Sequence, residues 1–140
     1  MMNSARHRAP TWSLAALTLA AFGFTSCAAS SPMELVEVDV APRTVKATVY
    51  RHEDFDSMYF DTVRTNRTEA ARLLEVQCRV TNDAREEVRG TYLVEFLDGS
   101  DIQVDSSGPT EFSALPGGTF LVQARAKTAA ATSAIISIRP

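Results

Sequence analysis

The sequence predicts an all-β protein: one antiparallel β-sandwich of about seven strands, preceded by a cleaved signal peptide and a short tether. Two-residue alternation of apolar and polar side chains recurs in separate segments from Thr44 onward. Turn signals divide those segments at roughly 10- to 20-residue intervals, the spacing of a sandwich. The long apolar run lies at the start and is too short to span a bilayer. These observations divide the chain into residues 1–26 as signal, 27–43 as modified start and tether, and 44–140 as sandwich.

The opening "MMNSARHRAP" carries Arg6 and Arg8 and no acidic residue. Trp12 to Phe24 follows as roughly 13 mostly apolar residues, the n-region and h-region order of a secretory signal; a membrane helix needs about 20. Small side chains around Ser26 suit the extended stretch that a signal peptidase cuts, and Cys27 stands at the cut. Through Phe24, Thr25, Ser26 and Cys27 the segment resembles a bacterial lipobox, with Phe where Leu is usual. That resemblance implies acylation of Cys27. Two or three acyl chains, at about 0.8 kcal/mol per buried CH₂, hold a protein on a leaflet durably. The other reading of the same residues is an ordinary secretory cut near "AAS". Ala28 stands where an Asp retains some lipoproteins at the inner membrane, so the sorting analogy implies the periplasmic face of an outer membrane.

After the cut about 114 residues remain, enough for one domain. Loss of Arg6 and Arg8 leaves 12 Lys+Arg against 17 Asp+Glu, and the net charge moves from −3 to −5. No basic stripe is present to release counterions from phosphates, which excludes a nucleic-acid partner. The same balance gives no electrostatic docking to anionic lipid. The expected partners are therefore the membrane, through the anchor, and an envelope protein or glycan. With Cys27 acylated, Cys78 has no partner and no internal disulfide forms. No cofactor is expected.

Along the mature chain, "AASSPMELVEVDVAPR" opens as a tether and alternates briefly at Leu35 to Val40. Pro32 and Pro42 limit it to a sheet edge or a crossing segment. "TVKATVY" at Thr44 to Tyr50 alternates as a strand. "RHEDFDSMYFDTVRTNRTEAAR" has no clean period and reads as a long connection, with Asn66 or Thr68 placed to cap one helical turn. In "LLEVQCRVT" Leu74, Val76, Cys78 and Val80 share one face, the strongest strand pattern in the chain. "NDAREE" is a turn, and "VRGTYLVEFLDGS" is a strand with Tyr92, Val94 and Phe96 on one face and a turn at Asp98-Gly99. Leu93 and Leu97 lie on its opposite face, which is either covered or used in a contact. Ile102 to Val104 and Glu111 to Leu115 are short strands, and "PGG" is a tight turn. "TFLVQARAK" and "TSAIISIR" close the pattern as two further strands.

From Leu73 onward the order "VTND", polar turn, "YLVEFLDGSDI", "LPGG" turn, small-apolar strand and "IISIR" resembles the YcfL-like family of periplasmic lipoproteins. The resemblance implies an immunoglobulin-like sandwich behind a lipobox signal and tether. It carries over no catalytic residue. Leu97 departs from it, standing where a second aromatic often precedes the Asp-Gly turn.

Chemistry-bearing residues are few. His52 is the one histidine after the signal, beside Glu53 and Asp54, and no Gly-x-Ser-x-Gly elbow accompanies it. A solvated loop histidine is the plainer reading. Asp54 and Asp56 alternate as calcium ligands do, without the glycine of a calcium loop. Cys78, in register with apolar neighbours, reads as a buried, inert thiol. Phe55, Tyr59 and Phe60 either fold back to close one end of the sandwich or form an exposed patch for a partner protein or glycan. The leading expectation is a non-enzymatic, lipid-anchored envelope protein that binds or assists another envelope component. The rivals are a small metal-dependent or hydrolytic enzyme using His52 and its acids, and a self-associating structural lipoprotein.

Overall fold

The computed structural model of the protein describes residues 33–140; the signal segment and Cys27 lie outside them. In chain order the strands are β1 (Met33–Val36), β2 (Val40–Ala41), β3 (Lys46–His52), β4 (Met58–Phe60), β5 (Val63–Arg67), β6 (Leu74–Asn82), β7 (Val88–Leu97), β8 (Gln103–Ser106), β9 (Thr110–Ala114), β10 (Thr119–Arg125) and β11 (Ser133–Arg139). A single 3₁₀ turn at Glu53–Phe55 follows β3. The described residues contain no α-helix.

Alternation works as the sequence implies. Leu74, Val76, Cys78 and Val80 of β6 and Tyr92, Val94 and Phe96 of β7 face inward and are buried, while the residues between them face outward. Two sheets pack through these inner faces as a β-sandwich. Sheet A runs β1-β3-β11-β7-β8, with β9 also on β7, and sheet B runs β10-β6-β5-β2, with β4 also on β6. Eleven strands stand where about seven were expected, partly because two outer strands are broken. β6 pairs with β4 through Val80 to Asn82 and with β5 through Leu74 to Gln77. β7 likewise pairs with β9 at its start and β8 at its end.

Three sequence expectations change. The segment after Tyr50 is not a long connection, because it contains β4 and β5. Its period is hidden by the break at Asp61-Thr62: Met58 and Phe60 point inward before it, Val63 and Thr65 after it, so the inward set moves from even to odd positions. The one helical turn near Asn66 is a single i→i+4 turn inside the β5–β6 hairpin, and Thr68 closes its far end instead of capping its start. Thr68 accepts Arg72 N–H at its carbonyl, at 2.9 Å, and Leu73 N–H at its hydroxyl, at 3.1 Å; Arg72 then takes a left-handed φ of 55°. Nor are all pairings antiparallel, since β3 lies parallel to β11 and β2 parallel to β5. The first of these joins segments far apart in the chain, where local patterning carries no direction signal. The stretch assigned to the tether enters the fold from Met33: β1 is an edge of sheet A and β2 an edge of sheet B. This is the edge and crossing role to which its prolines confined it.

One end of the sandwich is closed by aromatics. Phe55 meets Phe112 edge-on at 5.9 Å, Phe112 stacks on Phe120 at 4.2 Å, and Phe120 stacks on Tyr92 at 6.4 Å. Aromatic contacts of this kind contribute about 0.5–1.5 kcal/mol each beyond burial. Gly90 makes room for the cluster. A Cβ there would lie 2.3 Å from the Arg139 carbonyl oxygen and 2.9 Å from Phe55 Cζ.

Asn82 ties this end together. Its side chain is fully buried. Nδ2 donates to the carbonyls of Glu86 at 2.8 Å and Ala114 at 2.9 Å, and Oδ1 accepts Ala84 N–H at 2.9 Å. Its backbone N–H donates to Gly118, and its carbonyl accepts Gly117 N–H. The "VTND" and "LPGG" segments therefore meet at one residue. Asp105 makes a second inter-sheet link, accepting the backbone N–H of Lys127 beyond β10. That bond, and then the one from Ser106 N–H, hold its carboxyl below the usual carboxylate range.

Asn82→Ala is expected to lose about 2–4 kcal/mol in urea unfolding, because it strands buried carbonyls; Gly90→Ala is expected to lose about 1–3 kcal/mol by overpacking. A depressed folded pKa stabilises above the unfolded carboxyl value of about 3.9 and ceases to do so as pH falls through the folded value. The stability gap between wild type and Asp105→Asn is therefore expected to be full at pH 7 and to close as the pH falls below about 4, read by thermal unfolding across pH.

Candidate functional site

The residues with chemical potential are occupied structurally. His52 ends β3 and caps the 3₁₀ turn: its Nδ1 accepts Asp54 N–H at 3.2 Å. The same nitrogen lies 3.2 Å from Asp54 Oδ2, an ion pair only for a protonated ring. Nδ1 is thus engaged by the backbone of the turn it caps. Among the described residues no group of three or more His, Cys, Asp or Glu side chains is placed to hold a metal ion.

Cys78 faces the core, and burial, with the nearby Asp61 charge adding, pushes its thiol up to about 12. Its Sγ lies 3.4 Å from the Asp61 carbonyl oxygen. A thiolate attacks and a thiol does not. In the folded protein Cys78 is expected to react with a maleimide at pH 8 at least about 100-fold more slowly than in urea, read by mass spectrometry of the labelled chain; equal rates would contradict its placement.

The three aromatics do not form one patch. Phe55 and Phe60 are buried, the first in the aromatic closure, the second beside β6. Tyr59 alone is exposed, at 63%. Of the two readings, folding back holds for Phe55, which the 3₁₀ turn sets against Phe112, and for Phe60, which β4 turns inward, so a contact role is left to Tyr59 alone.

Exposed features instead gather on the two outer faces. On sheet A the pairing register sets Leu35, Tyr50, Ser137 and Leu93 in one row across four strands. Ile135 lies in the next row and Leu97 in the one after. Leu35, on the open edge of β1, is 61% exposed. Leu93 and Leu97, which the sequence left either covered or in contact, are half-buried on this face. Alternation flagged those two; the cross-strand row needed the parallel β3–β11 register. The outer face of sheet B is polar, with Arg64, Gln77 and Arg79 beside one another and Leu121 at its border. Sequence reading singled out none of these, because an alternating polar residue carries no signal of its own.

The fold has precedents. A DUF1425 family member from Shewanella sp. pv-4 matches with a TM-score of 0.53 over 79% of this chain and 91% of its own, at 17% identity. Campylobacter jejuni cj0090 matches with a TM-score of 0.49 over 65% of this chain and 97% of its own, at 14% identity. At 17% identity the first likeness is one of fold. No family model matches the sequence, and no curated protein matches it.

Proposed function

We propose that the protein is a non-enzymatic, lipid-anchored lipoprotein of the bacterial envelope, akin to the YcfL-like family. It binds or assists another envelope protein from the periplasmic face of the outer membrane. The carrying observation is the row on the outer face of sheet A, which starts with Leu35 on the open edge strand β1 and continues inward through Tyr50, the buried Ser137 and Leu93. An edge accepts a partner strand through its free backbone groups, and the row beside it offers apolar surface of the kind that marks interaction sites. The engaged His52 and the buried Cys78 favour this reading over a hydrolase. The lipobox-like residues before Cys27 support the anchor, and the short distance from Cys27 to β1 keeps this edge close to the membrane. Five residues separate Cys27 from Met33, at most about 22 Å of extended chain.

Two measurements check the proposal in native membranes. Mass spectrometry of the mature N-terminus is expected to show acylated Cys27; an unmodified start at another residue would remove the anchor. A photo-crosslinker placed at Leu93 is expected to give one discrete adduct with a second envelope protein, reduced at least about tenfold by Leu35→Asp through loss of apolar contact. Adducts with this chain alone would favour self-association and contradict the accessory role.

A further inference from the structure

The opposite face of the sandwich carries a different opportunity. Two adjoining depressions lie on the outer face of sheet B, of about 600 Å³ and 130 Å³, sharing Thr62, Arg64 and Gln77 as walls. The larger has the size of a small-ligand site. It opens because β2 pairs only with Val63 and Arg64, after which Pro42 leads the chain away from β5. The smaller one opens at the Asp61-Thr62 break between β4 and β5.

The charges there are unequally engaged. Arg64 pairs in register with Gln77, and Arg79 is the next outward residue on β6, about 7–8 Å along the diagonal. Neither guanidinium has a hydrogen-bond or ion-pair partner among the described residues. Of the neighbouring acids, Glu75 Oε1 pairs with Arg125 at 3.5 Å, while Asp61, whose Oδ1 accepts Thr62 N–H at 2.8 Å, keeps its charge on the wall of the smaller depression. Asn66 Oδ1 likewise accepts Arg67 N–H at 2.8 Å, which leaves its NH₂ as a donor. The trough thus holds two guanidiniums without a side-chain partner among the described residues, beside amide and hydroxyl groups, with the Asp61 carboxylate at its narrow end and Glu75 engaged by Arg125.

That inventory matches a particular ligand chemistry. A guanidinium binds a carboxylate as a two-pronged fork. The Gln77 amide and the Thr62 hydroxyl each offer donor and acceptor functions, as sugar hydroxyls require, and Pro42 and Leu121 supply apolar walls for the C–H face of a ring. A lone phosphate would use the arginines and leave the amides and the length of the trough idle. We propose that the outer face of sheet B is a binding site for a carboxylate-bearing saccharide, with Arg64 and Arg79 on the acid group and Gln77 and Asn66 on the hydroxyls. The site is independent of the partner surface on sheet A.

The test uses the full lipidated chain in detergent micelles, titrated by microscale thermophoresis with trigalacturonate, with neutral maltotriose and with inorganic phosphate. Trigalacturonate is expected to bind saturably with a Kd below about 1 mM, and maltotriose at least about tenfold more weakly. Arg64→Gln is expected to weaken trigalacturonate binding at least about tenfold and Gln77→Ala about threefold or more. Arg139→Gln, on sheet A, removes the same charge and is expected to leave binding unchanged. Circular dichroism melting verifies that each variant is folded. Absence of saturable binding up to about 10 mM, binding that Arg64→Gln and Gln77→Ala both leave intact, or phosphate binding as tight as trigalacturonate each overturns the proposal.

Discussion

Asn82 is the point at which the two sheets become one body. A buried amide is costly unless its donors and acceptor are engaged, and here the amide of Asn82 bonds the turn after β6, the start of the approach to β7 and the end of β9. Its backbone holds the Gly117-Gly118 turn that leads into β10. Glycine is required there for a conformational reason: Gly117 has a φ of 69°, in the region that L side chains rarely adopt. An apolar side chain at position 82 would fill space and leave the Glu86 and Ala114 carbonyls and the Ala84 N–H without their bonds. With the aromatic closure and Gly90 beside it, this junction makes the sandwich stable without a disulfide.

That construction constrains where function lies. The inner faces are filled by side chains packed on one another, and the thiol and the histidine each have a structural task. The outer faces remain, and they differ. Sheet A presents aliphatic and aromatic side chains in a row leading from an open edge. Sheet B presents arginine, amide and hydroxyl groups around a break in its outer strand. A largely apolar strip beside an open edge suits another folded surface, whereas a polar trough with two guanidiniums suits a small, hydroxyl-rich anion.

Much of the fold was legible because burial is periodic. β6, β7, β10 and β11 announce themselves through alternation over seven or more residues, and the turns between them through Gly, Pro and Asp. β4 and β5 were hidden by a change of phase at Asp61-Thr62, which makes two well-ordered short strands look like one aperiodic stretch. The parallel pairing of β3 with β11 was hidden because no local residue pattern encodes strand direction. The candidate surfaces were harder still. Leu93 and Leu97 stood out as apolar residues on the wrong face, yet their row with Tyr50 and Leu35 depends on that long-range register. Arg64 and Arg79 look like ordinary solvated residues until the pairing register sets them beside one another and Glu75 is seen to pair with Arg125 instead.

The central claim, that the Asn82 junction binds both sheets into a single cooperative unit, is tested most directly by native-state hydrogen exchange. Under the account, the N–H groups of Asn82 and Gly117 exchange with the same free energy and the same denaturant dependence as the central amides of β7 and β11, as groups released only by global unfolding do. Exchange of the junction amides through a separate, lower-energy opening while β7 and β11 stay protected would contradict it.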